Sequence, residues 1–294
     1  MTLLVTGAAG YVGAAVVAAA QRQGTHVVRG LTRAQADLAA GDLIPHLQGV
    51  DVVIHCAAAL RGDDRVQARD TVLATQRLVA ALQAVTPRPR LILVSSMAVY
   101  AGDLPPGTLI DESTALEPHA HQRDAYTRAK LAQEAVVSTS GLDHCIARVG
   151  AVWGPGHLRN AHLGLTLGPV LIRLGNGPEL PLAHVDNVAA ALLRLAEHGH
   201  GPVNVLDDDR PGPALFVARL RQGGWPRVVL PLSWRLPDLL SLLPLPGKPG
   251  LLRRPALRAR MAPRRYSNAR LHASGWHPVI GFEAGMQAAL AGLR

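Results

Sequence analysis

Thr2-Leu3-Leu4-Val5-Thr6-Gly7-Ala8-Ala9-Gly10-Tyr11-Val12-Gly13 joins a short apolar run to three glycines at GxxGxxG spacing, and an Ala/Val-rich stretch from Ala14 to Gln23 follows at once. The run reads as a buried strand and the stretch as a helix closed by Gly24. Each glycine has its own duty at such a junction. Gly7 permits a tight turn, Gly10 lets the backbone approach a pyrophosphate, and Gly13 allows close packing of helix on strand. The amides of Tyr11, Val12 and Gly13, at the helix N-terminus, then face the phosphates. A glycine triplet alone also serves ordinary turns. The strand before it and the helix after it give this one its weight.

Outward from that loop the pattern repeats. His26–Leu31 reads as a strand, Val50–Ala57 as an uninterrupted apolar strand, Thr71–Ala84 as an amphipathic helix and Leu91–Ser95 as another buried strand. Ala125–Val137 reads as a helix and Cys145–Val149 as the next strand. Continuous apolar strands separated by helices imply an α/β fold, a doubly wound parallel (Rossmann) sheet covered on both faces, with ligands at the carboxyl ends of its strands. After Gly154 prolines break the chain into short pieces, and from Pro211 to Pro263 proline and leucine dominate. Such density excludes long helices and central strands, so a smaller, irregular lobe is expected there. The expected division is a nucleotide-binding domain over 1–155, to which 184–206 return through a helix at Val188–Glu197. Residues 156–183 and 207–294 then form the C-terminal substrate lobe.

With 294 residues, 48 % of them hydrophobic, the chain can bury a full-sized core. Its two cysteines, Cys56 and Cys145, sit in strand-like runs, which suits a reducing compartment better than a disulfide scaffold. Met1 leads straight into a strand with no basic n-region or cleavage site, and no apolar run is long enough to cross a membrane. A cytoplasmic location is expected. The net charge is +9, with much of the excess in Arg253, Arg254, Arg258, Arg260, Arg264 and Arg265. Such a cluster could meet an anionic substrate or a membrane surface, or form a solvated face. Aromatic residues make up only 3 % and no recognition motif accompanies the charge, which argues against nucleic acid. The thirteen histidines show no ligand spacing, so no metal is expected.

Two further stretches carry chemistry. Enzymes using NAD place an acid at the end of the second strand for the ribose hydroxyls. This chain has Val28-Arg29-Gly30-Leu31-Thr32-Arg33 instead, so Thr32 and Arg33 could hold a 2′-phosphate, pointing to NADP with NAD still open. Tyr126 and Lys130 stand four apart on a predicted helix and share a face. An ammonium beside a tyrosine favours the phenolate and brings its pKa down, which suits acid/base work. Ser96 stands at the carboxyl end of the Leu91–Ser95 strand, where a hydroxyl can bind a substrate oxygen.

At these residues the chain resembles the extended short-chain dehydrogenase/reductase family, also described as the NAD-dependent epimerase/dehydratase family. The likeness includes the glycine loop, Gly41-Asp42-Leu43, Asp51 to Ala58, Val94 to Tyr100 and Tyr126-x-x-x-Lys130 with Glu134. Arg148 to Gly156, His184-Val185-Asp186 and Gly275-Trp276-His277-Pro278 continue it. The resemblance implies Ser96 as the group that polarises a carbonyl, Tyr126 as acid/base, and Lys130 as its tuner and a ligand of the nicotinamide ribose. It also implies Asp42 and Leu43 beside adenine, and Ala57 and Ala58 along the ribose and pyrophosphate. His184 and Asp186 are given a structural part, Asp186 as a helix cap. A homodimer through the helices containing Leu78 and Ala129 is implied as well.

Departures from the family pattern narrow the function. Thr71 replaces a common Asn, and a short connection from the second strand to Asp42 trims the adenine side of the sheet. Ala151 stands where sugar-nucleotide members usually carry Asn, and Ser96-Met97-Ala98 where 4,6-dehydratases carry Thr-Asp-Glu. The expectation is an NADP-dependent oxidoreductase interconverting a carbonyl and an alcohol on a small molecule with a hydrophobic body. The alternative is an epimerase or dehydratase of a sugar-type substrate with tightly held cofactor. Contact of the Leu/Pro-rich, basic stretch 230–265 with a membrane surface is a further alternative to plain packing of the small lobe.

Overall fold

The structure, a computed structural model, describes residues 1–241 and 254–292. Six strands form the central sheet: β1 (Thr2–Thr6), β2 (Val27–Leu31), β3 (Val52–His55), β4 (Arg90–Ser96), β5 (His144–Val149) and β6 (Gly201–Val205). All neighbours pair in parallel, in the order β6-β5-β4-β3-β1-β2. The order reverses between β1 and β3. That is where a doubly wound sheet opens a crevice at its carboxyl edge. Only β2 lies beyond β1, which is the trimming that the short connection predicts.

Alternation along β1 explains the two layers. Leu3 and Val5 pack under helix α1 (Tyr11–Gln23) and a later helix, with Val16, Ala20, Val188 and Leu192 in the same cluster. Leu4 points the other way, among Val53, Leu78, Leu82, Leu91 and Val137. That second layer is built by α2 (Ala74–Ala84) and α3 (Ala125–Ser138). The later helix of the first layer is α4 (Val185–His198). Leu78 and Ala129 are both buried in the chain's own interior, so any partner on α2 and α3 would meet their opposite faces.

Local boundaries follow the capping chemistry. Gly24 closes α1 with φ +66°. The helical stretch expected from Thr71 begins earlier, at Asp64, because the Asp63 carboxylate accepts from Val66 N. It passes through a π-helical segment, Ala68–Leu73, before α2. The cap of α4 differs from the expectation. His184 Nδ1 accepts from Asp186 N at 3.2 Å, so His184 is the cap and Asp186 lies in the first turn.

Beyond β5, α4 and β6 apart, no described element exceeds ten residues, in keeping with the prolines. Trp153, Leu163, Leu171, Leu182, Phe216 and Phe282 form one further cluster, and Leu174, Trp234, Leu257 and Met261 another. Arg265 is exposed, as a solvated face would have it, but four of the other late arginines are tied into the fold. Arg254 and Arg258 pair with Asp238, Arg258 also with Asp103, and Arg260 with Asp124 at 2.9 Å. Arg264 is 4 % exposed. Arg253 and most of the Leu/Pro run lie outside the described residues.

Candidate functional site

A cavity of about 610 Å³ occupies the crevice where the strand order reverses. Its floor is the glycine loop. Gly7 has φ +68°, and a Cβ there would sit 2.8 Å from the backbone of Ala57. A Cβ on Gly13 would come within 2.3 Å of the Gly7 carbonyl oxygen, so the helix packs on the loop itself. Gly10 is the N-cap of α1 and brings no side-chain cap, so the first-turn amides keep their donors for a ligand. Tyr11 and Val12 line the cavity. The Tyr11 ring stacks on His157 at 3.7 Å, and its hydroxyl donates to Pro155 O.

At one end the wall is formed by Leu31, Thr32, Arg33, Asp37, Leu38 and Asp70. Asp42 and Leu43, expected here, are absent from it. Asp42 accepts from Ile44 N in its own turn and Leu43 is buried among the residues under α2. The loop after β2 is so short that Asp37 and Leu38 reach the wall first. The second strand's missing acid is also supplied from elsewhere. Asp70, from the π-helical segment, pairs with Arg33, while Arg69 bridges Asp70 at 2.6 Å and Asp37 at 2.5 Å. No local pattern around Arg33 could reveal a partner 37 positions away.

At the other end Ser96, Tyr126 and Lys130 meet, with Ala57, Ala58 and Cys56 between them and the loop. Ser96 ends β4, where its Oγ accepts from Ala98 N. Asp124 caps α3 through Thr127 N at 2.8 Å and so sets the pitch of Tyr126 and Lys130. Lys130 Nζ lies 5.9 Å from the Tyr126 ring centre. The electrostatics correct one expectation. Burial dominates at Tyr126 and raises its pKa; the neighbouring Ser96 hydroxyl only partly opposes this. The phenol therefore stays protonated at neutral pH. Lys130 is 3 % exposed, and burial brings its ammonium down to about 8 against the opposing pull of Cys56 and Glu134.

What holds Lys130 was not legible as a motif. Its Nζ donates to Val94 O at 2.8 Å and to Gln133 Oε1 at 2.9 Å, leaving one N–H for the cavity. Gln133 Nε2 donates to Thr75 Oγ1 at 2.7 Å, and that hydroxyl donates to Thr71 O. Thr75 must then accept from His55 Nε2, 2.9 Å away, which leaves His55 Nδ1 to accept from the Thr6 hydroxyl at 2.7 Å. Burial holds His55 down to about 3, so it stays neutral. The chain of contacts from Thr6 to Lys130 is fully satisfied, and it fixes the amide of Gln133 in one orientation. The only sequence signal for Gln133 is its i+3 spacing from Lys130. Thr71, in place of Asn, accepts from Ala59 N and donates to Gln67.

A second buried network lies behind the site. Glu134 takes a two-pronged contact from Arg148, at 2.8 Å for the shortest, and a short bond from the Ser95 hydroxyl. Arg148 also donates to the Tyr100 hydroxyl, which donates to Asn204. It ties β4, α3, β5 and β6 together directly beneath Ser96.

Residues 3–205 match the model of the NAD dependent epimerase/dehydratase family. The chain is 27 % identical over 230 residues to a short-chain dehydrogenase/reductase family 42E member 1 of Xenopus laevis, covering 67 % of this chain. It spans 58 % of the length of that relative. It is 29 % identical over 242 residues to a 3-diazoavenalumate denitrifying reductase of a Streptomyces species, covering 73 % of this chain and 78 % of that protein. Among solved structures, UDP-glucuronic acid 4-epimerase from Bacillus cereus in complex with NAD superposes with a TM-score of 0.75 at 18 % identity. That match covers 100 % of this chain and 98 % of the other.

Proposed function

Because the chain belongs to the NAD dependent epimerase/dehydratase family, we propose that it is a nicotinamide-dependent oxidoreductase that interconverts a carbonyl and an alcohol on a small molecule. One observation carries this reading: Ser96, Tyr126 and the buried Lys130 line the same cavity as the open first turn of α1. The cradle suits a dinucleotide. Gly7 and Gly13 leave no room for a Cβ, and the amides after Gly10 are free for a pyrophosphate.

When bound, the nicotinamide ring supplies or takes up the hydride. The rest falls to side chains. Ser96 Oγ holds the substrate oxygen. Tyr126, kept protonated by burial, donates its proton as charge develops there, which favours reduction at neutral pH. The free N–H of Lys130 holds the ribose and its charge steadies the phenolate left behind. Thr32 and Arg33 support a preference for NADP(H), with the 2′-phosphate replacing Asp70 as the partner of Arg33. Ala151, on the wall beside Ser96, brings no side-chain amide where sugar-nucleotide members usually carry Asn, which supports a substrate other than a sugar nucleotide.

The test is NADPH consumption across a panel of hydrophobic aldehydes and ketones. Turnover that is lost in Tyr126→Phe is the expected outcome. Purified protein that retains its dinucleotide and converts UDP-sugars with no net NADPH consumption would establish the epimerase alternative instead.

A further inference from the structure

A smaller cavity, about 90 Å³, opens on the far side of Ser96 and shares Ser96, Val149, Gly150 and Ala151 with the first. The charged side chains on its remaining wall are all basic, Arg123, Arg260 and Arg264, set among apolar and neutral residues that include Ile110, Tyr266 and the half-buried His162. Two of these guanidiniums already have partners. Arg123 pairs with Glu117 at 2.7 Å and Arg260 with Asp124 at 2.9 Å. Arg264 does not. It is 4 % exposed, its two Nη groups donate only to the carbonyls of Ala101 and Gly102, and its Nε–H has no acceptor among the described residues. Arg123, 2 % exposed, also leaves its Nε–H unmatched.

A buried cation without a counter-ion is costly, and a native fold keeps one where something else completes it. The carboxylates that face Arg264 are committed elsewhere. Glu117 is held by Arg123 and by the amides of Gly102 and His119, and Asp103 by Arg258. Tyr266, pushed up to about 12 by burial, brings no charge, and His162, held down to about 4 by burial, brings none either. Of the three guanidiniums on this wall, Arg123 is matched by Glu117 and Arg260 by Asp124, while Arg264 has no carboxylate of its own, beside a space that has room for one small acidic group.

We propose that the substrate carries a carboxylate, and that this group enters the side cavity and pairs with Arg264. The proposal rests on Ser96 and Tyr126 acting on the substrate's carbonyl: a molecule reaching from Ser96 to Arg264 would present its carbonyl at one end and its acid at the other. The anion would bring the acceptor that the Nε–H of Arg264 lacks, with Arg123 and Arg260 adding to the field.

The test compares 4-formylbenzoate with its methyl ester in NADPH oxidation, alongside calorimetric titration with benzoate, benzamide and inorganic phosphate. The acid should exceed the ester at least tenfold in kcat/KM, and Arg264→Gln should bring that ratio to about one. Benzoate should bind the wild-type protein where benzamide does not, bind Tyr126→Phe as well, and be lost in Arg264→Gln with partial return in Arg264→Lys. The wild-type comparison needs no variant to fold. If neither aldehyde is consumed, benzoate binding still decides the carboxylate site, separately from the redox reading. Equal binding of benzoate and benzamide, binding undiminished in Arg264→Gln, or phosphate binding without benzoate binding would each overturn it.

Discussion

Gln133→Leu removes the carbonyl that accepts from Lys130 while keeping a side chain of similar bulk. In the wild-type protein the ammonium has two fixed acceptors, Val94 O and Gln133 Oε1, and a pKa lowered to about 8 chiefly by burial. A hydrogen bond to a charged group contributes roughly 1.5–3 kcal/mol. At about 1.4 kcal/mol per pH unit, losing it from the charged form moves the pKa down by about 1–2 units. The neutral amine also donates to Gln133, so the lower figure is expected. The sign follows from which form is active. A catalytic cation is present below its pKa and lost above it, so the alkaline limb of kcat/KM should move about one unit towards acid. Gln133→Glu places a negative charge at the same point and should move that limb the other way. The assay is kcat/KM for NADPH-dependent carbonyl reduction against pH for all three proteins. A merely structural role would lower activity at every pH and leave the limb in place. An unmoved limb in both variants would refute Gln133 as the residue that positions and tunes Lys130.

Three further outcomes follow from the same contacts. Asp70→Asn frees Arg33 from its carboxylate and should tighten NADP⁺ relative to NAD⁺, while Arg33→Ala should do the reverse; calorimetric Kd ratios check both. Arg148→Met strands the buried Glu134 carboxylate and should cost about 3–5 kcal/mol in urea unfolding, with Arg148→Met/Glu134→Leu recovering much of it. Gly13→Ala forces a Cβ against the Gly7 carbonyl oxygen, and should abolish dinucleotide binding even where circular dichroism reports a folded chain.

Much of this arrangement is written locally. The apolar run Leu3–Val5, the glycines at 7, 10 and 13, and the helix after them are consecutive, so period and turn chemistry reveal them together. Ser96, Tyr126 and Lys130 are legible because a strand end and an i, i+4 pair each carry their own signal. The Arg33 partner is not, because Asp70 arrives from a different crossover connection. Asp42 misleads for a related reason: its Gly-Asp-Leu pattern is in place, but the shortened loop puts Asp37 and Leu38 at the cavity. The sign of the Tyr126 shift is likewise a property of burial, which spacing does not encode. Arg264 looks like any member of an arginine-rich run until its neighbours' ion pairs are known.

The most direct test of the central claim is the rate of NADPH oxidation by wild type and Tyr126→Phe, measured on one responsive carbonyl compound. Loss of roughly 10²- to 10⁴-fold in kcat, with NADP⁺ binding retained, is the result expected if Tyr126 moves the proton. A Tyr126→Phe variant that turns over at the wild-type rate would contradict it.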